Sequence, residues 1–133
     1  MPGRCSLGPP FNYPHPAPNP RYVSPRQAII YTLDDADLGG CDLVLESIVE
    51  KRSAKQAFYA QIKPHLTDRT ILATNTSTIP VARLAMGLAD PGRFCGMHFC
   101  HPVRLRPLVE VIPGPTTSAE TVATPKAAKR LPP

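Results

Sequence analysis

The chain has 133 residues, of which 42% are hydrophobic, so its length allows one domain and its composition excludes a wholly disordered protein. Lys and Arg number 15 against 10 Asp and Glu, giving a net charge of +5 without any dense basic block, and aromatic residues make up only 6%, which disfavours nucleic-acid binding. No apolar run approaches the roughly 20 residues that a membrane-spanning helix needs, which excludes an integral membrane protein.

The N-terminal part differs in composition from the rest of the chain. Eight of the 18 prolines fall within the first 25 residues, and no periodic apolar pattern survives among them. Proline favours extended or polyproline II backbone, so we predict a disordered leader over residues 1–31, with a Pro-rich ligand segment as the alternative. Because the leader lacks the apolar stretch of a signal peptide, we expect the four cysteines to be reduced and the protein to be cytoplasmic.

Short apolar runs alternate with helical patterns along the rest of the chain. The predicted elements are a strand at 41–49, a helix at 50–63, a strand at 70–74, a polar turn at 75–80, a short helix at 81–89 and strands at 93–102 and 107–112. The segment at 118–130 is predicted to start as a helix with Ser118 as its N-cap and to be disturbed by Pro125. On the first helix, the apolar stripe is predicted at Ala54, Phe58 or Ala57, Gln61 and Ile62. This alternation predicts an α/β fold with a mainly parallel sheet.

Parallel sheets bind ligands at the carboxyl ends of their strands, where this chain has several chemically useful side chains. His98 ends one predicted strand and Glu110 lies on the next. Such a pair can shuttle a proton, because the carboxylate fixes the tautomer and orientation of the imidazole, or it can be a purely structural hydrogen bond. Ser77 follows another strand and can either bond a substrate oxygen or, with Asn75, cap the turn.

Four residues of one strand have the side chains of zinc ligands: Cys95, His98, Cys100 and His101. In an extended strand Cys95 and His101 share one face, while His98 and Cys100 point to the other. The chain also has no CxxC pair, so we predict no metal site.

Its eight glycines nowhere form GxG, so the sequence lacks the phosphate-binding turn of a dinucleotide fold.

Three segments in fixed order resemble the NAD-binding domain of 3-hydroxyacyl-CoA dehydrogenases: CDLVLESIVEKRSAKQAFYAQI, TILATNTSTIPVARLA and GRFCGMHFCHPVRLRPLVEVI. The resemblance covers about residues 32–124 and implies the second half of a Rossmann-like, doubly wound sheet, followed by a frayed tail over 125–133. One departure is His101, where the family has Asn. The Gly-rich loop and the downstream helical substrate domain are missing, so we hypothesise a truncated or misread gene product.

The resemblance also implies the reaction and its catalytic residues. The reaction is the NAD-dependent oxidation of a (3S)-3-hydroxyacyl-CoA to the 3-ketoacyl-CoA, as in fatty-acid β-oxidation. His98 would be the general base that takes the 3-hydroxyl proton, with Glu110 holding its ring. Ser77 would bond the 3-oxygen of the substrate.

For the cofactor and partners, the resemblance implies NAD and an acyl-CoA substrate. Glu50 and Lys55 match family positions near the nicotinamide half of NAD, and Asn75 would shape the adjacent loop. Full-length members are expected to be homo-oligomers, without nucleic-acid or membrane partners, and this chain is expected to be inactive alone. The alternative function is a non-catalytic half-domain that acts as a binding or interaction protein.

Overall fold

A four-stranded sheet organises the structure, a computed structural model that describes residues 30–103, 105–106 and 108–128. Nearly all of the predicted leader, and the end of the predicted tail, lie outside these residues. The strands and α-helices are, in chain order, β1 (Leu43–Glu46), α1 (Arg52–Ile62), β2 (Ile71–Thr74), α2 (Val81–Ala85), β3 (Phe94–Phe99), β4 (Val109–Pro113) and α3 (Ala119–Ala128). Short 3-10 helices occupy Asp35–Gly40, Lys63–His65 and Pro91–Arg93.

The strands lie in the order β1-β2-β3-β4, so that β1 and β4 are the outer strands of the described sheet. β1 and β3 both run parallel to β2, whereas β4 runs antiparallel to β3. The helices connect or follow these strands, and together they confirm the predicted α/β fold class. Because β4 reverses direction, its beginning lies beside the end of β3, and the register pairs His98 with Glu110.

Each face of the sheet has its own core. α1 and α2 cover one face, where the buried side chains are Val44, Tyr59, Ile62, Leu72, Val81, Leu84 and Phe94. The rings of Tyr59 and Phe94 meet edge to face, with their centroids 5.5 Å apart. On the other face Ile71, Ala73 and Cys95 are buried. All four residues of β2 are therefore buried, as expected for a central parallel strand made of an apolar run.

The buried side of α1 differs from the predicted stripe. Only Ile62 of that stripe is buried, and Gln61 is exposed. The buried residues of the helix are instead Lys55, Tyr59 and Ile62. A stripe chosen for apolar side chains could not include a lysine. The helix turns Lys55 towards the sheet because the carboxylate of Glu46 lies beneath it.

The last described helix, α3, begins as predicted and lies within the predicted segment. The hydroxyl of Ser118 accepts a hydrogen bond from the backbone N–H of Thr121 at 3.1 Å, which is the geometry of an N-terminal cap. The helix then continues through Pro125 to Ala128. At 11 residues α1 is the longest described helix, so no helix in this part of the chain could cross a membrane.

Candidate active site

The predicted site residues gather at the edge of the sheet where the parallel strands end. The register pairs Glu46 with Thr74 and Thr74 with Gly96, so β1 and β2 end side by side while β3 continues beyond them to Phe99. The loops that follow β1 and β2 therefore meet the end of β3. All six predicted residues lie along this edge or one contact behind it, and a chain of contacts links five of them: Lys55, Glu50, Ser77, His98 and Glu110.

His98 is held between a carboxylate and a hydroxyl. Its Nδ1 lies 2.7 Å from Oε2 of Glu110, and its Nε2 lies 3.2 Å from Oγ of Ser77. An ionised carboxylate only accepts hydrogen bonds, so in the tautomer that satisfies both contacts Nδ1 carries the ring hydrogen and Nε2 accepts one from Ser77. The side chains of His98 and Glu110 are 22% and 51% exposed, so the pair is open to a ligand.

Glu50 holds the loop that carries Ser77. Its Oε1 accepts hydrogen bonds from the backbone N–H groups of Ser77 at 3.1 Å and Thr78 at 3.2 Å, and from the hydroxyls of Thr76 and Thr78. Its Oε2 lies 3.4 Å from Nζ of Lys55. Partial burial raises the pKa of Glu50, but the hydrogen bonds from Thr76 and Thr78 and the charge of Lys55 outweigh it and lower the pKa from 4.5 to about 2. Glu50 is therefore an anion at neutral pH.

Lys55 forms a fully buried ion pair with Glu46. The side chains of both residues have 0% exposure, and Nζ lies 2.6 Å from Oε1 of Glu46. The same oxygen accepts the backbone N–H of Ile48 at 2.7 Å, while Oε2 accepts the hydroxyls of Tyr59 and Thr74, each at 2.8 Å. Burial, together with the carboxylate of Glu46, raises the pKa of Tyr59, so its phenol stays a neutral donor. Four donors thus satisfy one buried carboxylate.

Lys55 and Asn75, which are predicted to serve the cofactor site, lie in supporting positions behind the exposed edge. Lys55 has no exposed surface, so it reaches the edge only through its contact with Glu50. The side chain of Asn75 donates to the Ser47 hydroxyl at 2.9 Å and accepts the backbone N–H of Phe99 at 3.1 Å. Asn75, which follows β2, therefore ties together the segment after β1 and the end of β3. That Lys55 and Asn75 serve a cofactor site stays a prediction.

Sequence reasoning placed Glu46 at the ligand-binding ends of the strands without giving it a role, and it missed Tyr59. A signal for both was present. On β1, Glu46 has the same parity as the buried Val44, so alternation predicts that it faces the helices. On α1, Tyr59 follows Lys55 by one helical turn, which places phenol and ammonium on one face. An inward carboxylate requires such donors.

The structure also separates the zinc-ligand side chains that lie on β3 and just after it. Cys95 is fully buried on the face opposite His98, and burial raises the pKa of its thiol. Cys100 instead lies near His98 and Glu110, and one donor atom from each of these three residues lies within 4.8 Å of the others. Alternation along one strand places His98 and Cys100 together, but only the pairing of β3 with β4 adds Glu110.

A mainly parallel sheet with a histidine paired with a carboxylate at its carboxyl edge defines an α/β domain with a candidate proton-transfer site. A family model described as the NAD-binding domain of 3-hydroxyacyl-CoA dehydrogenase matches residues 21–130. The chain therefore belongs to the 3-hydroxyacyl-CoA dehydrogenase family and represents its NAD-binding domain, in agreement with the predicted family and cofactor.

Individual relatives show how much of the family's length this chain spans. It is 50% identical over 97 residues to the fatty acid oxidation complex subunit alpha of Pseudomonas syringae pv. syringae, which covers 73% of this chain and 14% of that protein. Among solved structures, 3-hydroxybutyryl-CoA dehydrogenase from Escherichia coli superposes with a TM-score of 0.70 at 35% identity, over 74% of this chain and 21% of that one. The (S)-3-hydroxybutyryl-CoA dehydrogenase of Ralstonia eutropha superposes with a TM-score of 0.71 at 35% identity. The match covers 74% of this chain and 35% of that one.

Replacing Lys55 by Met is expected to lower the free energy of unfolding by about 3–5 kcal/mol, because it leaves Glu46 as a buried charge without its partner. Urea denaturation followed by circular dichroism measures the change. Lys51→Met, at an exposed lysine just before the same helix, is the matched control and should stay within about 0.5 kcal/mol of the parent. Adding Glu46→Gln to Lys55→Met should recover part of the loss. Equal stability of the two lysine variants would contradict the importance of the pair.

The ionisation of Glu50 is expected to stabilise the fold above pH 4.5, with the stabilisation lost as the pH falls towards 2. The pKa of Glu50 is about 2 in the fold against an ordinary value of 4.5, so the unfolded chain binds more protons in this window. Unfolding curves at several pH values in the window should therefore show the parent losing stability faster than Glu50→Gln. Glu120→Gln, at an exposed carboxylate of α3, is the control for a lost charge. Parallel losses in parent and Glu50→Gln would refute the assignment.

Proposed function

We propose that this chain supplies the proton-transferring residues and the nicotinamide end of the cofactor site for the oxidation of a (3S)-3-hydroxyacyl-CoA to the 3-ketoacyl-CoA. The observation that carries the proposal is the 2.7 Å contact of Glu110 with Nδ1 of His98, which leaves Nε2 as the basic nitrogen beside Ser77. The chain spans 14% of the length of the Pseudomonas relative, so its activity and its substrate are part of the proposal.

In the proposed reaction His98 accepts the proton of the substrate's 3-hydroxyl at Nε2. Glu110 keeps the ring hydrogen on Nδ1 and faces the positive charge that appears when Nε2 is protonated. Oγ of Ser77 lies 3.2 Å from Nε2, so a substrate oxygen placed beside both atoms can hydrogen-bond to both. NAD held at this edge would supply the hydride acceptor for C3. In the reverse direction Ser77 donates to the ketone oxygen and the His98 imidazolium returns the proton.

The side chains at this edge fit the nicotinamide end of NAD. Glu50 is ionised and its side chain is 37% exposed, so it offers negative charge to the positively charged ring of the oxidised cofactor. Lys55 holds Glu50 from behind, and Asn75 fixes the neighbouring loop through Phe99. The pyrophosphate end is different, because the sequence contains no GxG turn to bind it.

An acyl-CoA substrate belongs to the same proposal. The relatives are named for fatty acid oxidation and for the dehydrogenation of 3-hydroxybutyryl-CoA, which supports this substrate class. A cytoplasmic location and assembly into homo-oligomers stay predictions. The same is true of inactivity of the chain alone and of the alternative non-catalytic role.

A chimera tests the catalytic role of His98. The aligned 97-residue segment of the Pseudomonas alpha subunit is replaced by the matching residues of this chain, and reduction of a 3-ketoacyl-CoA by NADH is measured. His98→Ala should lower kcat by about 10²–10⁴-fold with little change in the KM for NADH, because the base acts in the chemical step. His65→Ala, at a partly buried histidine outside the site, is the control.

Two outcomes of the chimera experiment contradict the proposal. Unchanged turnover in His98→Ala would remove His98 from the reaction. A folded parent chimera that binds NADH but reduces no 3-ketoacyl-CoA would instead favour the non-catalytic role.

The chain itself is expected to bind NAD with nearly the same affinity as nicotinamide mononucleotide, because no Gly-rich turn is present to hold the pyrophosphate. Ligand-detected NMR titrations of the 133-residue chain should give dissociation constants that agree within about threefold. Glu50→Gln should weaken both ligands equally. Binding of NAD at least about tenfold tighter than the mononucleotide would show that the chain holds partners for the adenosine end.

A further inference from the structure

Three different metal-ligating side chains meet at the end of β3. His98 and Cys100 are two residues apart and point to the same face, and Glu110 of β4 is the register partner of His98. One donor atom from each lies within 4.8 Å of the other two. All three side chains are partly or largely exposed, so an ion from solvent can reach them.

The donor set selects a particular class of ion. An imidazole, a thiolate and a carboxylate are the three ligand types of zinc sites, and three protein ligands with one open position are a usual zinc arrangement. Hard ions such as Mg²⁺ and Ca²⁺ prefer oxygen ligands throughout. Zinc bonds of about 2.0–2.3 Å at tetrahedral angles place donor atoms about 3.3–3.6 Å apart. The side chain of Glu110 is 51% exposed, so its carboxylate can move away from Nδ1 of His98 by the fraction of an ångström that this spacing needs. The thiol of Cys100 must move closer to His98 and Glu110.

We propose that His98, Cys100 and Glu110 form a binding site for one zinc-class divalent ion, with the fourth position open to water. The ion takes the place of the hydrogen between Nδ1 of His98 and Oε2 of Glu110. That hydrogen moves to Nε2, and the thiol proton of Cys100 goes to solvent, so each ion bound to the neutral imidazole releases one proton.

The surroundings of His98 suit this rearrangement. A metal-bound histidine usually donates its other ring N–H to a neighbouring group. Oγ of Ser77 lies 3.2 Å from Nε2 and accepts that hydrogen when the ring changes tautomer. Nε2 then carries a hydrogen and no longer has the lone pair of a base. An occupied site therefore blocks the proton transfer proposed above, a consequence that rests on the proposed function, whereas ion binding itself does not.

Zinc binding to the complete 133-residue chain tests the site directly. Competition with a chromogenic chelator should give one ion bound with a micromolar or tighter dissociation constant. Cys100→Ser should weaken it by at least about tenfold, since a hydroxyl replaces the thiolate. Cys41→Ser, at another partly buried free cysteine, is the matched control and should leave the affinity unchanged. An excess of Mg²⁺ should not displace the zinc.

Further readouts keep the test independent of folding defects. Cobalt(II) bound to the parent should show a thiolate charge-transfer band that Cys100→Ser lacks, while circular dichroism confirms that the variant is folded. Glu110→Gln should also weaken zinc binding. Equal zinc affinity in the parent and Cys100→Ser, or an equal loss in Cys41→Ser, would overturn the site. If zinc binds as expected but does not inhibit an active chimera, the assignment of His98 as the base fails and the metal site stands.

Discussion

The geometry of the candidate site depends on one buried carboxylate. Glu46, at the end of β1, receives donors from its own loop, from α1 and from β2, so it fixes three segments against each other. Apolar packing is not directional and would let α1 rotate, whereas these hydrogen bonds allow one orientation. Lys55 is thereby placed beside Glu50, and Glu50 in turn holds the loop of Ser77. The side chains at the exposed edge of the sheet are therefore positioned by a buried ion pair.

His98 combines two kinds of strand pairing. Ser77 reaches it from the loop after β2, which is parallel to β3, whereas Glu110 reaches it from the antiparallel β4. Parallel pairing brings strand ends together, and antiparallel pairing sets a residue directly opposite its partner. The two ring nitrogens of His98 consequently face different groups, an acceptor and a hydroxyl. This difference is what gives one nitrogen a structural task and leaves the other available for chemistry.

The sequence predicts much of this arrangement. Alternating patterns predict each strand and α-helix among the described residues, because the strands are apolar and, from α1 onwards, proline or glycine separates consecutive elements. The segments quoted for the resemblance predict the family, which the family match confirms. The inward Lys55 could not be predicted from its helix alone, since its partner Glu46 belongs to another element. The meeting of Cys100 with Glu110 likewise depends on the register of β3 and β4, which a pattern within either strand does not determine.

β1 is an outer strand of the described sheet, and this has a consequence for the behaviour of the chain in solution. Among the described residues, its backbone N–H and C=O groups are paired with β2 on one side only. Leu45, Ile48 and Val49 add exposed apolar surface along and just beyond this strand. An open, apolar strand edge is a template for a strand of another molecule. Among the described residues, this edge of the sheet is therefore open to pairing with a strand of a second molecule.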